Sequence, residues 1–191
     1  MRTAMNEKHH DSLVRYVNDV IAMERDILNA VRAQARDGRL DAYPELNIIL
    51  DQITQGSEER LGLFKEMTEE EGGSLGAALK EGITALTGTL AGLYGKVREH
   101  PVSRMVRDDI IALDVAAVSY GMLLTLGLAV GHSNCVRFAT RGLDSCAPLI
   151  VRLTDLLPSI VADELVMEAP LANPAAVQIS AARIREAWRG A

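Results

Sequence analysis

The chain has 191 residues, enough for one domain with a continuous core, and 48% of them are hydrophobic while only 4% are aromatic. Plentiful Ala, Leu, Met, Glu and Arg with so few aromatics is the make-up of packed helices, and it argues against a β-rich fold. A formal charge of -6 with no Lys/Arg cluster argues against a nucleic-acid surface, which needs a concentrated basic stripe.

In chain order, the polar opening MRTAMNEKHHDS lacks the apolar run of a secretory signal, so the expected address is the cytoplasm, with Met5 as an alternative start. Residues 9–36 carry Leu13, Val17, Val20, Ile27 and Val31 at alternating steps of three and four, with Glu24 in the same stripe. That spacing predicts one long amphipathic helix. The stretch DGRLDAYPEL breaks it at Gly38 and Pro44, and Leu46, Ile49, Leu50, Ile53, Leu61 and Phe64 predict a second helix over residues 45–70. The connection is short, so the two helices should be antiparallel.

Gly72 and Gly73 stop the second helix, and Ser74 can cap the next segment. Residues 75–97 are small and apolar, with Lys80, Glu81 and Lys96 as their charges, and are expected to form a crossover helix. After Pro101 and Ser103 a third helix is predicted over residues 104–130, and a fourth from 134 to 155 or beyond, with Gly131 between them. Pro148 should kink the fourth helix, and Pro158 should end or bend it. Residues 169–175, with Pro170 and Pro174, read as a linker into a short helix at 179–188. The expected architecture is all-α: an antiparallel four-helix bundle over residues 1–168, with a crossover helix between helices two and three. A Pro/Ala linker and short C-terminal helix occupy residues 169–191.

Residues 115–130 contain no charge. A membrane span needs about twenty apolar residues, and Asp114 and His132 bracket this run too closely. The third helix is therefore expected to pack on several neighbours, or to face the bundle on one side and a symmetry mate on the other. Gly88, Gly92 and Gly95 would let another helix approach closely, so a homodimer is expected. The C-terminal segment ISAARIREAWRGA has Ile179, Ile184 and Trp188 as anchors, either for a protein partner or for packing on its own bundle. Cys135 and Cys146, eleven residues apart, are about three helical turns from each other, too far to bridge on one helix, and should be reduced.

The run SRMVRDDIIALDVAAVSYGMLLTLGLAVGHSN, with EEEGGSLGAALKEG upstream, resembles bacterial ferritin-like domain proteins. These include stress-associated, mostly uncharacterised groups whose third and fourth helices meet at a comparable Gly-His turn. The likeness covers roughly residues 9–165 and implies the ferritin-like plan for the bundle. It also implies a question of ligands, because metal-binding members hold two iron or manganese ions with carboxylates and histidines from all four helices. Such a centre takes a Glu from each of two helices and a Glu-x-x-His from each of the others, since residues three apart share a helix face.

This chain has one Glu-x-x-His, Glu7 to His10, at the start of its first helix. Candidate metal ligands, as remnants of a degenerate site, are Glu24, Glu59, Asp114 and Asp144. Glu24 interrupts an inward stripe, and Glu59 lies mid-helix beside Glu58. Asp114 shares a stripe with Ile111, Val118 and Met122, read as inward, and Asp144 precedes Ser145 and Cys146. Each has a plainer reading. Glu24 would pair with an arginine such as Arg60, Arg137 or Arg141, Asp114 would accept from Tyr120 or a neighbouring helix, and Asp144 would be solvated. His100 and His132 sit where helices end, as caps.

No G-x-S-x-G elbow, Walker loop, H-E-x-x-H or C-x-x-C occurs, and Cys146 has no basic partner near it in sequence, so an enzyme has no positive support. The leading expectation is a non-enzymatic, cytoplasmic, dimeric ferritin-like bundle without a cofactor, serving a structural or stress-related interaction role. One alternative is an iron or manganese protein acting as an oxidase, in peroxide removal or in iron storage. Another is a peripheral membrane protein using the crossover and third helix.

Overall fold

The computed structural model describes residues 7–71, 76–77 and 101–189. Apart from Gly76 and Ala77, the expected crossover helix with Gly88, Gly92 and Gly95 lies outside the described residues, as does His100. Those described form five α-helices: α1 (Glu7–Gln34), α2 (Pro44–Glu71), α3 (Val102–Val130), α4 (Ser133–Glu168) and α5 (Ala176–Arg189), with a 3₁₀ turn (Gly38–Ala42) after α1. Among the described residues there is no strand.

The breaks fall where the local chemistry puts them. The Asp37 carboxylate accepts the Arg39 backbone N–H at 3.0 Å and starts the 3₁₀ turn. Pro44 opens α2 at the position where a missing N–H removes no helical bond. Gly131 closes α3 with a φ of 69°, a left-handed conformation that glycine adopts without a Cβ penalty. His132 then caps α4, its Nδ1 accepting the Cys135 N–H at 3.3 Å. Pro158 does not end α4, which runs 36 residues through both Pro148 and Pro158.

The four long helices form a ring in the order α1, α2, α4, α3. Pairs across each seam run in opposite directions. Gln34 meets Asp109 and Glu24 meets Tyr120 between α1 and α3. Arg60 meets Ser145 and Arg137 meets Glu70 between α2 and α4, while Ser103 meets Glu164 between α3 and α4. With every neighbouring pair antiparallel, the diagonal helices α2 and α3 run the same way. The chain between Glu71 and Val102 therefore has the length of the bundle to cover, about 40 Å for a helix the size of α3.

The predicted stripe of α1 is the core stripe: Leu13, Val17, Val20, Ile27 and Val31 are all buried, and Glu24 lies buried among them. On α3 the inward stripe is Val106, Asp109, Leu113, Ala116, Tyr120 and Leu123. The stripe expected to face inward, Ile111, Val118 and Met122, is instead exposed, at 37%, 65% and 47%. By length and composition alone α3 and α4 could each cross a membrane, and a third of the most apolar window of each is buried. α5 lies against α4, held by an Arg185 Nε to Asp155 bond of 2.7 Å. Ile184 lines two clefts of about 340 and 310 Å³ between them, while Ile179 and Trp188 stay exposed.

Candidate functional site

A polar cluster built from all four long helices occupies the middle of the bundle. α1 supplies Glu24, carried inward by the core stripe. α2 supplies Arg60 and, one turn earlier, Ser57. α3 supplies Tyr120, and α4 supplies Ser145 and Cys146. Glu24 and Arg60 are 1% and 2% exposed, so both charges are out of water.

Their geometry is a two-pronged ion pair. Arg60 Nε donates to Glu24 Oε1 at 2.8 Å and Nη2 donates to Oε2 at 2.9 Å, the fork matching that makes arginine the best cation for a buried carboxylate. The Tyr120 hydroxyl donates to Oε1 at 2.7 Å. Arg60 also donates from Nη1 to Ser145 Oγ at 2.6 Å and from Nη2 to Ser57 Oγ at 3.1 Å. The aromatic rings of Phe64, Phe138 and Tyr120 close one side, with Tyr120 edge-on to Phe138 at 5.7 Å.

Two glycines make this arrangement fit. A Cβ on Gly142 would collide with the Tyr120 ring, and one on Gly56 would fall 2.8 Å from Arg60 Nη1. The phenol and the guanidinium thus lie directly against the backbones of α4 and α2.

Burial works against the Arg60 charge, but the adjacent Glu24 carboxylate outweighs it and holds the guanidinium pKa above its ordinary value. Burial, reinforced by the Glu24 charge, raises the Tyr120 hydroxyl well above its usual range. Burial also pushes the Cys146 thiol up to about 12, against the pull of Arg60. At neutral pH the cluster is thus one paired anion and cation, a phenol and a thiol, with neither nucleophile ionised.

The four candidate ligands are not brought together. Glu24 is central, but both its oxygens accept hydrogen bonds from Arg60, and Tyr120 adds a third. Glu59 and Asp144 are exposed and line one cleft of about 340 Å³ with Gly56, Arg60 and Arg141. Asp114 is on the outer face of α3, away from the centre, because the apolar stripe it belongs to faces outward; desolvation there raises its carboxyl pKa. The expected Tyr120 donor for Asp114 goes to Glu24 instead. Among the described residues no three His, Cys, Asp or Glu side chains are placed to share a metal ion. A two-metal centre does not fit this donor set, since a guanidinium takes the place beside Glu24 that a cation would need.

Of the arginines expected for Glu24, Arg60 is the partner; Arg137 pairs with Glu70 at the surface at 3.2 Å, and Arg141 is exposed. Nothing in the spacing of the sequence marks Ser57, Ser145, Gly56 or Gly142. Buried Asp109, which accepts from Gln34 Nε2 at 2.9 Å, is a residue that sequence reasoning missed, although its place between Val106 and Leu113 marks the inward stripe. Comparison of the chain with protein-family models, curated proteins and solved structures gives no match.

Proposed function

We propose that the chain is a non-enzymatic, ferritin-like bundle, dimeric and cytoplasmic, whose centre is an ion pair in place of a di-metal site and whose work is done by association. The observation that carries this reading is the forked contact of Arg60 with Glu24, shared with Tyr120 and Ser145 so that all four long helices meet at a cation belonging to the chain itself. The ring of antiparallel neighbours, with α2 and α3 parallel on the diagonal, supports the ferritin-like plan because that plan needs one long crossover at this point. The stress-related interaction role follows from the resemblance of residues 103–134. Exposed Ile179 and Trp188 on α5 would serve a protein partner.

The competing reading is an iron or manganese protein active in oxidation, peroxide removal or storage. Elemental analysis of the purified protein after exposure to each metal, beside Glu24→Ala, separates the two. The expected result is no stoichiometric metal in either protein. Stoichiometric metal in the parent that disappears in Glu24→Ala would overturn the proposal.

A further inference from the structure

α5 lies along α4 without closing on it. The two helices run antiparallel, since Arg185 meets Asp155 while Leu165 shares a cleft with Ala176 at the other end of α5. Well-packed elements interdigitate and leave few voids larger than a water molecule. Here two clefts of about 340 and 310 Å³ are lined by residues of α4, of α5 and of the segment that joins them. Ile184 borders both, so they are successive parts of one trough. Each is within the size range of small-molecule pockets, about 300–1,000 Å³.

The two parts differ in chemistry. Toward Leu165 the trough is apolar: Leu157, Val161 and Leu165 of α4 face Leu171 and Val177, and the nearby Ser180 hydroxyl is already used, donating to the Val177 carbonyl at 3.1 Å. Toward Trp188 it carries Thr154, Asp155 and Arg185. The Thr154 hydroxyl oxygen is buried without a hydrogen-bond partner. The Asp155 carboxylate is occupied, its Oδ1 accepting from Arg185 Nε at 2.7 Å. That bond leaves both Nη groups of Arg185 unused among the described residues, on a side chain that is half exposed. A hydroxyl and two guanidinium donors at one end of an apolar trough are the complement of a carboxylate on a hydrocarbon tail. The length agrees. Thr154 and Leu165 are eleven positions apart, about 16 Å of helix, and one lipid acyl chain fills half of a bilayer core of about 30 Å.

We infer that the trough between α4 and α5 binds a long-chain fatty acid, its carboxylate on the Thr154 hydroxyl and the Arg185 Nη groups and its tail running past Ile184 to Leu165 and Leu171. The site is separate from the central ion pair and does not depend on association between copies. Trp188, the one tryptophan of the chain, stands at the carboxylate end, where it reports occupancy.

The test is titration of the full chain with palmitate, kept below the concentration at which it forms micelles, followed by Trp188 fluorescence and by calorimetry. The expected result is a blue shift that saturates at one palmitate per chain, with a Kd in the micromolar range or below. Thr154→Val keeps the shape of the side chain and removes a hydroxyl that bonds nothing in the fold, so circular dichroism should not change while the Kd rises about 10-fold or more. Ser180→Phe, at an exposed position on α5, fills the tail end and should abolish saturable binding. Laurate, with its shorter tail, should bind about 10-fold or more weaker, since each buried methylene contributes about fourfold. No saturation in the parent would overturn the proposal. The same holds for methyl palmitate binding as tightly as palmitate, and for palmitate binding unchanged in Thr154→Val or Ser180→Phe. A Trp188 response to phosphatidylcholine vesicles but not to palmitate would overturn the bound fatty acid in favour of a lipid surface.

Discussion

Glu24→Ala removes a carboxylate that is 1% exposed and accepts three hydrogen bonds at 2.7 to 2.9 Å. The variant keeps a buried guanidinium with its partner gone and a phenol with no acceptor. Breaking one side of a buried ion pair costs about 3–5 kcal/mol, because the orphaned charge stays desolvated. Arg60→Met should do at least as much damage, since it strands the carboxylate. Tyr120→Phe removes only one hydrogen bond to a charged acceptor and should cost about 2 kcal/mol. The double variant Glu24→Leu/Arg60→Met discards both charges and should be far more stable than the sum of the singles predicts, below the parent by about the 2 kcal/mol of the lost Tyr120 bond, because a well-packed apolar pair can match a buried ionic one. The assay is urea unfolding at 25 °C followed by circular dichroism. With a slope of about 2 kcal/mol per molar urea, a loss of about 4 kcal/mol moves the midpoint down by about 2 M. A Glu24→Ala loss below about 1 kcal/mol, or a double variant as unstable as the two singles added together, would refute the claim that the pair holds the centre.

The same cluster sets further outcomes. Gly142→Ala drives a methyl into the Tyr120 ring and should lower stability by about 2–3 kcal/mol. Gly62→Ala, on the same scaffold with nothing within 4 Å of the new Cβ, should instead raise it by about 0.5–1 kcal/mol. Thermal melts of the two variants check the contrast. Cys146 gives a pH dependence: its thiol is neutral in the fold up to about 12 but ionises near the ordinary value of 9.0 once the chain unfolds. Its contribution is thus intact below pH 9 and drains away between 9 and 12, by about 1.4 kcal/mol per pH unit. Urea midpoints at pH 8 and 10.5 should therefore fall less steeply in Cys146→Ala than in the parent. Tyr120 acts in the same direction from its own higher range.

The long helices and their ends were legible because each is marked by chemistry that acts within a few residues. The Leu13 to Val31 stripe set the phase of α1, the Gly38 and Pro44 break set its partner, and Gly131 with His132 set the α3–α4 turn. Glu24 was recognisable as the inward acid, with Arg60 among its expected partners, because a charge inside a continuous apolar stripe has to be paired. Ser57, Ser145, Gly56 and Gly142 were not legible. Their roles depend on which helices face each other and at what height, and spacing along one helix carries no such information. Pro158 was expected to end or bend α4 and does not end it, since a proline in a helix removes one donor and the helix runs on to Glu168.

α3 carries the most instructive departure. It has two stripes at helical spacing, each interrupted by one acid, and the one expected inside was Ile111, Val118 and Met122, with Asp114 among them. The stripe that faces the core contains Asp109 and Tyr120. Hydrophobicity does not decide between them, since the inner stripe also carries Val106, Leu113, Ala116 and Leu123, and what marks the inner one is a polar complement. Two hydrogen bonds to α1 supply it, Gln34 to Asp109 and Tyr120 to Glu24, because α1 would otherwise bury an amide and a carboxylate with fewer partners. The polar groups that α1 buries thus find their complement on the α3 stripe that faces them.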